Sequence, residues 1–143
     1  MRLSTIITLL FSIWAGGAAL AAEVLTAELA RKAALKGDVV LIDIRTPEEW
    51  VETGVADVAH TLSMHGDRFV PKLKELMDQH PGKPLAMICA TGARSTYLTT
   101  ALEQRGIPVF NVREGMLGSN IGPGWLARSL PIRKPDAPIV TSE

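Results

Sequence analysis

The chain holds a single cysteine, Cys89, and its neighbours mark it as a candidate nucleophile. It opens the segment Cys89-Ala90-Thr91-Gly92-Ala93-Arg94-Ser95, which follows an apolar run and precedes a helical pattern. Small residues and a glycine let such a backbone curl tightly, so that successive N–H groups turn inward as an anion-binding nest. The helix that follows adds the positive end of its dipole at the same point. Both effects favour the charged thiolate, which is the nucleophilic form of cysteine. Arg94 brings a fixed cation whose planar fork suits an anionic substrate. The competing reading, a small buried hydrophobe, does not account for the glycine, the arginine and the strand-to-helix setting together.

Two cysteine chemistries use a loop of this kind. Cysteine-dependent phosphatases and arsenate reductases place an arginine six positions after the cysteine, because a seven-residue loop is needed to encircle a phosphate. Here position 95 is serine and the arginine falls at 94. The loop is one residue shorter, which favours a smaller leaving anion or the single extra sulfur of a persulfide.

The elements that must carry this loop can be read along the chain. Glu23–Leu25 reads as a short edge strand. Thr26 is a good N-cap for a helix reaching about Lys36, with Gly37 as its stop. Val39-Val40-Leu41-Ile42 and Leu85-Ala86-Met87-Ile88 are continuous apolar runs, as expected of strands buried on both faces of a parallel sheet. Thr46-Pro47-Glu48-Glu49 joins an N-cap, a proline at the first helical position and a glutamate three residues after the cap. Ala59–Leu62 is a short strand candidate, Asp67–Gln79 and Ser95–Arg105 read as helices, and Val109-Phe110-Asn111-Val112 as the last strand. Alternating strands and helices predict a three-layer α/β domain: a central, mostly parallel five-stranded sheet with helices on both faces. In such sheets ligands sit at the carboxyl ends of the strands. Asp43–Arg45, Ser63–His65, Cys89–Arg94 and Arg113-Glu114 are therefore expected along one edge.

Composition narrows the function classes. Lys plus Arg and Asp plus Glu each number 15, so the net charge is zero and no basic run marks a nucleic-acid surface. Residues 1–22 combine Arg2, an apolar stretch and the small-residue end Ala19-Leu20-Ala21, an A-x-A signal-peptidase pattern. Cleavage near Ala21 or Ala22 is the expectation, with an uncleaved anchor as the alternative. After cleavage the protein would be exported, in the periplasm or beyond, with no further tie to a membrane. One cysteine permits no internal disulfide there. His60, His65 and His80 have no metal-ligand spacing. His65 is expected on the surface, within reach of the pocket mouth, Trp50 and Trp125 in packing, and Arg68 and Arg113 as solvated surface charge or as positive potential near the mouth. Residues 23–133 form the expected domain, and 134–143 a flexible tail.

Cys-x-x-Gly-x-Arg-Ser after a buried strand resembles the active-site loop of single-domain rhodaneses, the thiosulfate sulfurtransferase-like proteins. Val40-Leu41-Ile42-Asp43-Ile44-Arg45-Thr46-Pro47-Glu48-Glu49-Trp50 is similar to that family's N-terminal signature. Glu114-Gly115-Met116, Gly124-Trp125-Leu126 and Leu130-Pro131-Ile132 are similar to its C-terminal stretch. Where the family commonly has Gly-His-Ile-Pro-Gly-Ala, this chain has Gly54-Val55-Ala56-Asp57-Val58-Ala59, a change expected in a turn and strand.

The resemblance implies that Cys89 attacks a sulfane sulfur and becomes a persulfide. Backbone N–H groups from Ala90 through Arg94, with Ser95 closing the loop, would bind the thiolate and then the persulfide. Arg94 would hold an anionic donor such as thiosulfate, and a thiol or protein partner would accept the sulfur. No metal or organic cofactor is implied. Asp43 and Arg45, both in the family pattern, are expected to line the site or, more readily, to brace its loops. The alternative function is a persulfide carrier or redox-sensing module that docks to a periplasmic partner.

Overall fold

The computed structural model describes residues 22–141. The segment read as an export signal therefore lies almost wholly outside the described residues. Among the described residues, seven strands and five helices follow one another: β1 (Glu23–Val24), α1 (Ala27–Leu35), β2 (Val40–Asp43), α2 (Pro47–Thr53), β3 (Val55–Ala56), β4 (His60–Thr61), α3 (Phe69–Gln79), β5 (Leu85–Ile88), α4 (Ala93–Glu103), β6 (Val109–Val112), α5 (Gly124–Ala127) and β7 (Ile132–Arg133). Five of the strands form one sheet in the order β1-β6-β5-β2-β4, and every pairing in it is parallel. This is the expected five-stranded parallel sheet.

The continuous apolar runs are explained by cover on both faces. Successive side chains on a strand point to opposite sides. Leu41, Ala86 and Ile88 join a cluster with Ala27 and Ala30 of α1 and Trp125 of α5. Val40, Ile42, Leu85 and Met87 join a second cluster with Leu73 of α3 and with Leu98 and Leu102 of α4. Each face of the sheet thus has its own core, and no residue of β2 or β5 is left for solvent.

Local signals set the helix starts. The Thr46 side chain accepts from the Glu49 amide while the Glu49 carboxylate accepts from the Thr46 amide, the reciprocal box expected there. Helix α4 begins at Ala93, two residues earlier than expected, because Gly92 takes a left-handed conformation and starts the helix inside the cysteine loop.

Two features differ from expectation. Val55-Ala56 pairs antiparallel with Ile132-Arg133 as a separate two-stranded sheet, so the altered turn after α2 is fixed by the C-terminal segment. The segment after residue 133, expected to be loose, is held to the domain. Arg133 donates to the carbonyls of Lys134, Pro135 and Ala137 and to that of Ala59, and the Val140 amide donates to the Asp57 carbonyl. A fork of guanidinium N–H groups meeting several carbonyls supplies what composition did not reveal. Residues 142 and 143 lie outside the described residues.

Candidate active site

Strand β5 is the middle strand of the sheet, and Cys89 follows it directly. The loop from Cys89 to Gly92 is shaped by the segment after β6. The Met116 amide donates to the Cys89 carbonyl and the Leu117 amide to the Ala90 carbonyl, each at 2.9 Å. In a trans peptide the N–H points opposite the carbonyl. Tying these two carbonyls outward turns the amides of Ala90 and Thr91 away from the 116–117 segment. The approach is close enough to require glycine on both sides. A β-carbon on Gly92 would stand 2.0 Å from the Arg113 carbonyl oxygen, and one on Gly115 would stand 2.3 Å from that of Ala90.

Within this cradle the sulfur of Cys89 receives two amide hydrogens, from Gly92 at 3.1 Å and from Ser95 at 3.4 Å. Its thiol faces the Ser95 hydroxyl at 3.5 Å, and that hydroxyl donates to the Gly92 carbonyl at 3.1 Å. The cysteine is 1% exposed, and Gly92 and Ser95 are buried with it. Thr91 and Ala93 are exposed at the rim. Among the described residues, no protein acceptor meets the amides of Ala90, Thr91, Ala93 and Arg94. The expected run of donors from Ala90 through Arg94 is therefore divided. Gly92 and Ser95 serve the sulfur, and the other four meet no protein acceptor among the described residues.

Arg94 is placed differently from expectation. Its two terminal nitrogens meet both oxygens of Glu49, at 2.7 Å and 2.6 Å, so its fork is occupied by the protein's own carboxylate. The Arg94 pairing, followed by the Thr46 amide, outweighs burial and holds the Glu49 carboxyl down at about 2. Reciprocally, the Glu49 hydrogen bonds raise Arg94 further above the ordinary guanidinium range, with the Cys89 sulfur adding to the effect. In sequence, Glu49 is marked by the capping pattern and by the family-like segment around it, not as a partner of Arg94. Nothing in the spacing of 49 and 94 announces a contact made across the sheet edge.

Asp43 and Arg45, weighed as lining residues or as braces, form a buried ion pair at 2.7 Å, with side chains 0% and 1% exposed. Arg45 also donates to the Thr53 hydroxyl and to the carbonyls of Glu49 and Gly54. Its hydrogen bonds tie β2 to α2, and none of them reaches the cysteine loop. His65 is exposed, and among the described residues no hydrogen bond or ion pair joins it to that loop. His60 and His80 meet edge to face with ring centroids 5.5 Å apart. No third His, Cys, Asp or Glu completes a metal-ligand cluster with them among the described residues.

Glu114, expected at the sheet edge and in the family-like stretch Glu114-Gly115-Met116, is the anchor of the segment that shapes the loop. Its buried carboxylate accepts from the amides of Ala27 and Gly124 and from the Arg128 guanidinium. Burial opposes its charge, but these donors outweigh that effect and hold its carboxyl below the usual range. Trp125 is fully buried with its ring N–H on the Pro131 carbonyl.

The structure is an α/β domain with a cysteine loop at the carboxyl end of the central strand of a parallel sheet. The chain belongs to the rhodanese-like domain family, whose model matches residues 26–119. It is 32% identical over 95 residues to the putative sulfurtransferase YtwF of Bacillus subtilis, covering 66% of this chain and 86% of that one. It is 31% identical over 116 residues to a sulfurtransferase of Allochromatium vinosum, covering 80% of this chain and 96% of that one. Among solved structures it is similar to Rv0390 of M. tuberculosis, with TM-score 0.60 and 26% identity over 79% of this chain and 98% of that one. The polysulfide-sulfur transferase of Wolinella succinogenes aligns with TM-score 0.58 and 27% identity over 78% of each chain.

Proposed function

We propose that the protein is a sulfurtransferase whose Cys89 carries sulfur as a persulfide between a thiosulfate or persulfide donor and a thiophilic acceptor. The observation that carries this reading is the pair of amide hydrogens from Gly92 and Ser95 directed at the Cys89 sulfur. Fixed dipoles of that kind favour negative charge on the atom they face. Membership of the rhodanese-like family and the sulfurtransferase names of two relatives support sulfur transfer as the class of activity.

The chemistry balances with this chain's own groups. The Cys89 thiolate attacks the outer sulfur of the donor, a new S–S bond forms, and the donor's own S–S bond breaks. The electron pair of the broken bond leaves with sulfite from thiosulfate, or with a thiolate from an organic persulfide. The loop amides that meet no protein acceptor among the described residues, those of Ala90, Thr91, Ala93 and Arg94, are the donors offered to the added sulfur. In the second half-reaction an acceptor nucleophile attacks that outer sulfur, and Cys89 departs as thiolate with the bonding pair. Neither step needs a metal or an organic cofactor.

Steady-state sulfur transfer from thiosulfate to cyanide, and from a persulfide to a thiol, tests the reading; both are expected to vanish in Cys89→Ala. Loading of sulfur without turnover to any acceptor would instead favour a carrier. We further propose that the protein is exported after cleavage near Ala21 or Ala22, on the strength of the N-terminal pattern. Recovery of a chain beginning near Glu23 from the extracytoplasmic fraction supports this, and an intact N-terminus in the cytoplasm rejects it.

A further inference from the structure

We infer that Glu49 sets the donor preference of the Cys89 site: by occupying the Arg94 fork it disfavours doubly charged donors such as thiosulfate and favours persulfides borne on thiols. This rests on the sulfurtransferase reading above and narrows it to a substrate class.

An arginine grips a planar or tetrahedral oxyanion best through two parallel N–H bonds. Both terminal nitrogens of Arg94 already make such bonds, to Glu49 Oε1 and Oε2. The carboxylate is not free to swing aside. Glu49 sits at the third position of α2, and its Oε2 also accepts from the Thr46 amide at 3.0 Å. A surface ion pair between two long, mobile side chains contributes little, but this one joins a fixed helix start to the cysteine loop. Its side chains are 27% and 28% exposed, so the pair is only partly screened.

The consequence for a donor is a matter of charge. Thiosulfate reaches the site as a dianion and leaves behind a sulfite dianion. It must either displace Glu49 from Arg94 or remain beside an uncompensated carboxylate. A thiol persulfide carries at most one negative charge at its sulfurs and leaves a thiolate. Its sulfur can be met by the loop amides alone, with no demand on the Arg94 fork. At separations of a few ångströms, one unit charge near a protein surface changes affinity for a dianion by about tenfold or more.

The test compares two donors on three proteins. The initial rate of sulfur loading onto Cys89 is followed by intact mass, with thiosulfate or with an alkyl hydropersulfide that has no other ionisable group. Glu49→Gln keeps an acceptor for the capping box and removes the charge. The ratio of loading efficiencies, thiosulfate over persulfide, is expected to rise about tenfold in Glu49→Gln, mostly through a lower half-saturating thiosulfate concentration. In Arg94→Gln, which leaves the Glu49 carboxylate unpaired, the ratio is expected to fall. A pair that matters only for folding would move both variants in the same direction, and that result, or an unchanged ratio, overturns the inference while leaving sulfur transfer standing. Failure of the parent protein to load sulfur from either donor overturns the sulfurtransferase reading, and this inference with it.

Discussion

The backbone of Gly92 lies so close to that of Arg113 that a β-carbon at Gly92 would sit 2.0 Å from the Arg113 carbonyl oxygen. Gly92 also holds φ at +92°, in the region that side chains disfavour, and it places the first amide on the Cys89 sulfur. Gly92→Ala is therefore expected to destabilise the domain by about 2–4 kcal/mol, combining left-handed strain with a clash against backbone that cannot yield. Sulfur loading should fall with it, because the amide and the loop move together. Urea denaturation and intact mass check the two effects separately; wild-type behaviour in both would mean that the loop tolerates a different path.

Asp43 and Arg45 supply a contrast between bracing and chemistry. Removing one member of a buried, hydrogen-bonded ion pair leaves an uncompensated charge, at a cost of about 3–5 kcal/mol. Asp43→Ala should lose that much stability in thermal or urea melts. The fraction that remains folded at low temperature should still load sulfur on Cys89. Loss of loading in fully folded protein would move Asp43 from brace to participant.

The Ser95 hydroxyl stands between the Cys89 thiol and the Gly92 carbonyl. Replacing Ser95 by alanine keeps the backbone amide on sulfur and removes two hydrogen bonds of the hydroxyl, of which only the one to the sulfur bears on its reactivity, a change of about 1 kcal/mol, or roughly fivefold in rate. A loss of several hundredfold in the rate of sulfur loading would give the hydroxyl a larger role than one bond.

Acid stability should report the Glu49–Arg94 pair. The Glu49 carboxyl titrates at about 2 in the folded protein, because Arg94 and the Thr46 amide bind its charged form. Its ordinary value, 4.5, stands for the unfolded chain. A carboxyl depressed on folding contributes stability that is full above the unfolded value and is lost as pH falls towards the folded one. We expect wild type to lose about 1–2 kcal/mol between pH 4.5 and pH 2 from this group, after allowance for solvent screening. Glu114, also held below the usual carboxyl range, adds to the loss in the same direction. Glu49→Gln should flatten the slope in urea melts across that window, and an unchanged slope would argue that the pair contributes nothing to folding.

How much of this was legible in the sequence follows from how far apart the interacting residues lie. Strands β2 and β5 announce themselves because sheets covered on both faces need unbroken apolar runs, and Thr46 to Glu49 announces α2 through its capping chemistry. The cysteine loop was legible for the same local reason, being a contiguous string of small residues, glycine and arginine. The early start of α4 was not, because the left-handed Gly92 lies against the Arg113 carbonyl, a contact between residues twenty-one apart in the chain. Glu49 as the partner of Arg94, Glu114 as the anchor of the loop's outer wall, and Arg133 as the clasp of the C-terminal segment all depend on contacts across tens of residues. Their side-chain types alone are equally at home on a solvated surface.

Sulfur transfer by this protein requires that the Cys89 cradle accept one sulfur atom and give it up again. Intact mass after brief incubation with an alkyl hydropersulfide or with thiosulfate tests it directly. The parent protein is expected to gain one sulfur atom, a gain reversed by an added thiol and absent from Cys89→Ala. An unchanged mass with both donors, or an equal gain in Cys89→Ala, would contradict it.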